Sequence, residues 1–267
     1  MSDTTDQAVT YAVSDGIATI TLNRPDGMNS LTLETKIALR DAAHAAAADS
    51  SARCVVITGT GRAFCVGQDL KEHVAGLKGD ETQPLSNTVT DHYNPTITAI
   101  TSMPKPVIAA LNGVAAGAGA SLAFGADFRI LKESASFNLA FAGIALSCDT
   151  GISWTLPRLI GMGKATELLL QPRTIRADEA LSLGLATTVV PDDEFDAAVA
   201  GLARKLADGP TVAFASIKRA LTFSATHDLP ASLEHEAQKM ALTGATSDHL
   251  VAVEAFLAKE KPAFQGR

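Results

Sequence analysis

The segment spanning residues 104–121 constrains the fold more than any other part of the chain. Val107–Leu111 is a short, unbroken apolar run that follows two prolines, which predicts a buried strand. From Gly113 to Ala120 only Val114 is larger than alanine, so another group can approach this backbone closely. Helical spacing resumes at Ala118, and the small residues therefore lie where a strand turns into a helix.

A strand-to-helix turn of this kind can serve chemistry or only packing. The first amides of a helix have no partner inside the helix and point outward with a partial positive charge. An oxyanion at this turn would be stabilised, as acyl-transfer and enolate reactions require. Small residues also let a helix pack tightly on a sheet, and the run by itself leaves both interpretations open.

Composition bounds the class of protein. The 267 residues are 46% hydrophobic and 19% charged, which predicts a globular chain with room for one large domain or a core with an appendage. A net charge of −7 without a long basic run argues against nucleic acid as a partner. No apolar stretch is long enough to span a bilayer, so we expect no membrane insertion.

The N-terminal residues and the cysteines indicate the compartment. Residues 1–7 are polar and lack the apolar core of a signal peptide, so we expect a cytoplasmic protein. The cysteines at positions 54, 65 and 148 are too few and too scattered for a zinc site or a disulfide framework. We therefore expect no metal.

Strands and helices alternate through the first part of the chain. Residues 9–22 alternate apolar and polar side chains around a turn, which predicts a β-hairpin. Thr32 is the predicted N-cap of a helix, and residues 54–58 predict a second buried strand. Residues 59–70 predict another strand and a glycine turn, without the Lys-Ser/Thr ending of a phosphate-binding loop. This order favours an α/β fold.

The chain beyond residue 163 is predicted to be mostly helical. Residues 229–257 carry a narrow apolar stripe formed by Leu233, Ala237, Met240 and Ala241. Such a stripe has to pack on the core of its own chain or on a neighbouring subunit. The best candidate boundary follows Pro191, so we predict a core over residues 1–195 and a helical C-terminal region over residues 196–267.

Two charged residues and one segment allow more than one interpretation. Asp149 is a lone carboxylate among small and apolar residues, and it is either the N-cap of the helix containing Trp154 or a catalytic group. Arg24 is either a surface charge or the partner of an anion such as a phosphate. Residues 71–86 are polar and weakly patterned, which predicts a mobile loop.

Taken together, five segments resemble the enoyl-CoA hydratase/isomerase family, also called the crotonase superfamily. They occur in the order and spacing of that family and span nearly the whole chain: residues 21–25, 61–70, 105–119, 149–159 and 261–267. The segment that begins at Asp149 is most similar to the epoxyphenylacetyl-CoA isomerase-like branch.

The resemblance implies a fold and a shared chemistry. The family fold is a spiral of ββα units followed by a helical C-terminal region used in trimerisation, so we expect a homotrimer or a dimer of trimers. In the family, two glycine-rich turns form an oxyanion hole around the carbonyl of a CoA thioester. Carried over by position, the donating amides are those of Gln68 and Ala118, and they would stabilise an enolate. No metal or redox cofactor is implied, because CoA is part of the acyl-CoA substrate.

Departures from the family pattern indicate the reaction. Hydratases of this family use two glutamates, whose positions correspond to Ser121 and the neighbourhood of Phe141 here. Asp149 remains as a single acid/base, which suits double-bond or ring isomerisation. The alternatives are a 2-enoyl-CoA hydratase of fatty-acid degradation and a catalytically silent acyl-CoA-binding protein. Dehalogenation is disfavoured because the helper histidine of related dehalogenases corresponds to Asn94.

The resemblance also implies where the substrate binds. The CoA adenine and phosphates are expected along the first family segment, the second glycine turn and the C-terminal tail, often across a subunit boundary. The residues implied are Arg24, Cys65 through its backbone, Gly67, Lys261 and Phe264. The acyl group is expected to contact residues 71–94.

Overall fold

A computed structural model describes the backbone of residues 7–78 and 85–267 and the side chains of residues 7–75 and 87–267. Its strands are β1 (Val9–Ser14), β2 (Ile17–Leu22), β3 (Cys54–Gly59), β4 (Ala63–Cys65), β5 (Val107–Leu111), β6 (Val114–Ala116), β7 (Phe128–Lys132), β8 (Ser136–Asn138), β9 (Thr174–Arg176) and β10 (Thr188–Val190).

The helices include several that separate successive strands and four that follow the last one. They are α1 (Leu33–Ala48), α2 (Leu70–Lys78), α3 (Leu85–Thr88), α4 (Asn94–Ser102), α5 (Ala118–Gly125), α6 (Ile152–Ile160), α7 (Met162–Leu170), α8 (Ala177–Leu183), α9 (Phe195–Ala207), α10 (Thr211–Ser224), α11 (Leu229–Gly244) and α12 (Ser247–Ala258). A π-helical turn over Val89–Tyr93 joins α3 to α4.

Two sheets alternate along the chain. The larger sheet has the order β1-β2-β3-β5-β7-β10 and is parallel except for the β1–β2 hairpin. The smaller sheet has the order β4-β6-β8-β9, with an antiparallel final pair. The successive pairs β3–β4, β5–β6 and β7–β8 each place one strand in the larger sheet and one in the smaller. This is the ββα spiral that the resemblance implied, and the α/β prediction is confirmed.

Strand β5 is buried on both faces, which explains its continuous apolar sequence. Val107, Ala109 and Leu111 pack into the main core. Ile108 and Ala110 point to the opposite face, where α9 covers the larger sheet with residues such as Phe195 and Ala203. The proposed division at residue 195 stays a prediction.

Two predictions of secondary structure were wrong. The predicted loop at residues 71–86 begins as helix α2, because the Asp69 carboxylate accepts the amides of Lys71 and Glu72, each at 3.1 Å. Residues 79–84 lie outside the described part. The predicted helix at residues 229–257 is two helices, because Thr246 starts α12 by accepting the amide of His249 at 3.2 Å.

The C-terminal helices leave many large apolar side chains exposed in the single chain. They include Ile217, Leu221, Leu229, Leu233, Met240, Leu250, Val253, Phe256 and Leu257. The apolar stripe of α11 is thus not covered by its own core. Among the described helices, none has the length and apolarity needed to cross a membrane.

Candidate active site

The two glycine turns lie side by side at one edge of the smaller sheet. Parallel neighbours β4 and β6 each end shortly before a glycine with positive φ, +82° at Gly67 and +51° at Gly117. A β-carbon on Gly67 would lie 2.9 Å from the carbonyl oxygen of Ala116 and 3.2 Å from the amide nitrogen of Ala118. Only a glycine permits this approach of one turn to the other.

The backbone around Gln68 is fixed by hydrogen bonds, whereas the Gln68 N–H itself has no acceptor among the described residues. The Leu31 amide donates to the Gly67 carbonyl at 2.8 Å, and the Asp69 amide donates to the Leu31 carbonyl at 3.2 Å. Because successive peptide groups of an extended chain alternate in direction, the intervening Gln68 N–H points away from Leu31. No acceptor among the described residues takes its hydrogen.

The amide of Ala118 also lacks an acceptor in the described part of the chain, but for a different reason. Gly117 is the N-cap of α5 and provides no side chain to satisfy the first amides of that helix. The first bond inside the helix runs from the Ser121 amide to the Gly117 carbonyl at 3.1 Å. Two unpaired amides on adjacent turns are the geometry that an oxyanion site requires.

Asp149 lies in the segment between β8 and α6. The N-cap of α6 is Gly151, without any side-chain cap, so the interpretation of Asp149 as a helix cap was wrong. Thr150 Oγ1 donates to Asp149 Oδ1 at 2.8 Å. Burial raises the pKa of Asp149, and the Thr150 hydrogen bond opposes that effect. A carboxyl group with a raised pKa is suited to exchanging a proton.

The positions that correspond to the hydratase glutamates, Ser121 and the neighbourhood of Phe141, hold no acid. Ser121 is buried and its hydroxyl donates to the Gly117 carbonyl at 3.1 Å, which completes the first turn of α5. Phe141 lines a cavity of about 270 Å³ together with Cys148, the neighbour of Asp149 in the chain. Of the three positions that the family pattern singles out for acids, only Asp149 carries a carboxylate.

Tyr93 lies beside the Gln68 turn, and sequence reasoning missed this role. Its hydroxyl donates to Gln68 Oε1 at 2.8 Å. Burial, and after it the Asp149 carboxylate, raises the pKa of Tyr93 well above its ordinary value. An aromatic residue at helical spacing is ordinarily core, so only the hydrogen bond to Gln68 reveals its place beside the site.

Lys36 is a second residue that the sequence did not single out. It is buried on α1, and its Nζ lies 3.3 Å from Gln68 Oε1, 3.4 Å from Thr88 Oγ1 and 3.7 Å from Glu72 Oε1. Burial lowers the pKa of Lys36, and the Glu72 charge opposes that effect. In the sequence it is one charge on an ordinary helix.

Arg24 and Cys65 lie next to the first glycine turn. The Arg24 guanidinium donates to the Ser30 carbonyl at 2.6 Å and lies 3.4 Å from the Asp69 carboxylate, so it organises the loop that leads into Gln68. Cys65 is completely buried, and burial raises the pKa of its thiol to about 12. Its thiol is therefore neutral, and the expected contact of its backbone with CoA stays a prediction.

The C-terminal tail lies elsewhere in the single chain. Arg53 Nη1 donates to the Phe264 carbonyl at 3.0 Å, and the Phe264 side chain lines a cavity of about 410 Å³ beside α10 and α12. Lys261 is exposed. Within one chain, the structure thus does not bring these two predicted CoA contacts to Arg24, Cys65 and Gly67.

The chain is similar to a known protein family along nearly its whole length. The family model described as enoyl-CoA hydratase/isomerase matches residues 12–267. The chain is 42% identical over 259 residues to a Rhodobacter capsulatus protein named probable enoyl-CoA hydratase, covering 97% of this chain and 98% of that protein. It is 39% identical over 255 residues to the 1,2-epoxyphenylacetyl-CoA isomerase of Escherichia coli, covering 96% and 97%.

A solved structure shows the same architecture. The crystal structure of enoyl-CoA hydratase from Bacillus anthracis superposes with a TM-score of 0.91 at 33% identity, covering 98% of this chain and 100% of that one. The family model, the sequence relatives and the solved structure agree. The chain therefore belongs to the enoyl-CoA hydratase/isomerase family, the crotonase superfamily, and is an enzyme of this kind.

Proposed function

We propose that this enzyme isomerises a double bond or a ring in an acyl-CoA thioester, with Asp149 as the single acid/base. The observation that carries the proposal is a half-buried carboxyl group with a raised pKa, in a chain whose two hydratase glutamate positions correspond to Ser121 and the neighbourhood of Phe141. A second carboxylate is what would otherwise activate water.

The proposed reaction needs one base and one oxyanion site. The amides of Gln68 and Ala118 donate hydrogen bonds to the thioester carbonyl oxygen, and the Asp149 carboxylate removes a proton from carbon. The electron pair of the broken C–H bond moves into the enolate, whose oxygen carries the negative charge. The Asp149 carboxylic acid then returns the proton to another carbon of the conjugated system, and the double bond moves. The step requires no redox cofactor.

The test compares the conversion of 3-enoyl-CoA to 2-enoyl-CoA by the wild type and by Asp149→Asn. We expect kcat to fall by about 10²- to 10⁴-fold, the usual contribution of a general acid/base. Asp192→Asn is a matched control, because the Asp192 carboxylate accepts from Ser134 in an exposed turn. Equal rates in the wild type and Asp149→Asn would refute Asp149 as the base.

A 2-enoyl-CoA hydratase is the second candidate, favoured by the name of the Rhodobacter capsulatus relative. Water addition removes the absorbance of the conjugated thioester, whereas isomerisation of 3-enoyl-CoA creates it. One assay therefore separates the two reactions by the sign of the absorbance change. Tight binding of acyl-CoA without either change would instead indicate a silent binding protein.

We also propose that the enzyme assembles as a homotrimer or a dimer of trimers through its C-terminal helices. Support comes from their exposed apolar side chains, including Leu221, Leu233 and Phe256. In such an assembly Lys261 and Phe264 would contact CoA bound by a neighbouring subunit, while Arg24 and the backbone at Cys65 and Gly67 contact it within the chain.

A further inference from the structure

We propose that Tyr93 and Lys36 are positioning residues. By hydrogen bonding to the side-chain oxygen of Gln68, they hold its backbone N–H in place to donate to the thioester oxygen. This inference rests on the proposed function, in which the Gln68 N–H is one of the two oxyanion donors. Neither residue is proposed to touch the substrate.

The Gln68 side-chain oxygen receives donors from two separate elements. The Tyr93 hydroxyl, from the π-helical turn before α4, lies at 2.8 Å, and the Lys36 ammonium, from α1, lies at 3.3 Å. A carbonyl oxygen has two lone pairs, so these two donors occupy both of them. The Gln68 side chain is therefore committed to the protein and cannot itself receive a hydrogen from the acyl group.

The backbone of Gln68 is held from the other side. Leu31 pairs with the flanking Gly67 carbonyl and Asp69 amide, at 2.8 Å and 3.2 Å. The weak point is Gly67, which has a φ of +82° and the conformational freedom of a glycine. Rotation of the Gly67–Gln68 peptide would turn the Gln68 N–H away from the neighbouring turn. The hydrogen bonds from Tyr93 and Lys36 to the Gln68 side chain oppose this rotation.

The buried charge of Lys36 indicates a purpose beyond packing. Burying an ammonium group costs free energy unless a counter-charge compensates it closely. The nearest carboxylate, Glu72, lies 3.7 Å away and also accepts the Leu33 amide at 3.0 Å. The cation thus lies behind the residue whose amide faces the developing oxyanion, where a positive charge favours the enolate.

Tyr93 is a positioning residue and not a second acid. A phenol has one proton, and Tyr93 gives it to Gln68. The hydroxyl is therefore unable to donate to Asp149 at the same time, even though the Asp149 charge acts on it. Loss of the hydroxyl should weaken the polarisation of the thioester without removing the base.

The experiment reads that polarisation directly with trans-cinnamoyl-CoA, whose conjugated absorption band moves to longer wavelength when the thioester carbonyl is polarised. Spectra of the bound probe are compared for the wild type, Tyr93→Phe and Lys36→Met. We expect each variant to lose roughly half of the red shift or more, and kcat for 3-enoyl-CoA to fall by about 10- to 100-fold, with KM changed less than about 3-fold.

Tyr11→Phe is the matched control, because Tyr11 is the other of the two tyrosines and its hydroxyl donates to Asp49 Oδ2 at 2.9 Å. It should keep the full red shift. Asp149→Asn should also keep the full red shift, because Asp149 does not hydrogen bond to the Gln68 side chain in the structure. Full red shift and unchanged kcat in both Tyr93→Phe and Lys36→Met would overturn the proposal.

A third variant keeps the proposal open to refutation if either substitution lowers stability. Gln68→Met retains the backbone N–H but removes the side-chain oxygen that accepts from Tyr93 and Lys36. This single substitution should therefore lose the red shift, and adding Tyr93→Phe should cause little further loss. If the losses caused by Gln68→Met and Tyr93→Phe were additive, the proposed role of Tyr93 would be overturned. A wild type that polarises the probe without isomerising any 3-enoyl-CoA would contradict the proposed function but not the positioning of Gln68 by Tyr93 and Lys36.

Discussion

The Thr150 hydroxyl donates a 2.8 Å hydrogen bond to Oδ1 of Asp149 from a backbone with a φ of +50°. A β-branched residue seldom adopts this conformation, which costs on the order of 1–3 kcal/mol. Strained backbones of this kind occur at functional sites. The strain places the hydroxyl beside the carboxylate, where it offsets part of the effect of burial on the Asp149 pKa.

The activity should depend on pH through Asp149. In the proposed mechanism the Asp149 carboxylate is the base, and burial raises its pKa, so kcat/KM should fall on the acid side with a midpoint above about 3.9, the ordinary aspartate value. A pH profile of kcat/KM for 3-enoyl-CoA measures this limb. The limb should be absent from the residual activity of Asp149→Asn, and a midpoint below the ordinary value would contradict the assignment.

Thr150→Val should move the acid limb to higher pH. The Thr150 hydrogen bond favours the ionised form of Asp149, and its removal leaves burial unopposed, so the Asp149 pKa rises further. Thr150→Ser keeps the hydroxyl and should leave the limb in place. The same profile in the valine and serine variants would show that the hydroxyl does not act on the base.

Asp149→Asn should stabilise the fold near neutral pH. The folded-state pKa of Asp149 is raised above its unfolded value, so the ionised side chain costs stability above the folded pKa, and this cost vanishes below the unfolded pKa. We expect a gain on the order of 1 kcal/mol at pH 7, typical for relief of an active-site cost, and no gain at pH 3. Urea unfolding at the two pH values measures it.

Asp192→Asn is the control of opposite sign. The hydrogen bonds from Ser134 lower the pKa of Asp192, so its carboxylate contributes stability above the ordinary pKa, and that contribution is lost in acid. The asparagine variant should not gain stability at pH 7. A similar gain in both variants would mean that the effect does not come from the burial of Asp149.

Gly67→Ala should damage the oxyanion turn. The new β-carbon would lie 2.9 Å from the Ala116 carbonyl, and the φ of +82° is unfavourable for alanine. We expect a loss of about 1–3 kcal/mol of stability and about 100-fold in kcat, because the two turns must move apart. Gly201→Ala on α9 meets no atom within 4 Å and should stabilise the fold by about 0.5–1 kcal/mol.

Charges on the exposed apolar surface of the C-terminal helices should dissociate the assembly. The Leu233 and Phe256 residues are 55% and 82% exposed in the single chain. Leu233→Asp combined with Phe256→Asp should reduce the mass measured by light scattering to that of one 27.6 kDa chain. Lys205→Glu on α9 should leave the mass unchanged. An oligomer of unchanged mass in the double variant would contradict the proposed interface.

The local pattern of the chain predicted several elements closely. Strand β5 occupies Val107–Leu111, as its apolar run indicated, and α5 begins at Ala118, where helical spacing was predicted to resume. Thr32 caps α1 as predicted, by accepting the Thr35 amide at 3.2 Å. These features depend on residue size, periodicity and capping, which act between near neighbours in the chain.

Predictions that required a distant partner were less successful. Helix α2 was missed because its start depends on Asp69, whose carboxylate is held by Ser30 and Arg24 from another part of the chain. Asp149 was left open as a helix cap because its neighbours suit a cap, whereas the turn at Thr150 and Gly151 directs it elsewhere.

The sequence by itself determined the order of strands and helices, the two glycine turns and Asp149 as the carboxylate proposed to act as the base. Only the tertiary structure decided that both turns meet with unpaired amides, that burial raises the Asp149 pKa, and that Tyr93 and Lys36 converge on Gln68. The reason is physical: periodicity and side-chain size act locally, whereas solvent exclusion and hydrogen bonds between elements arise when the two sheets and their helices pack together.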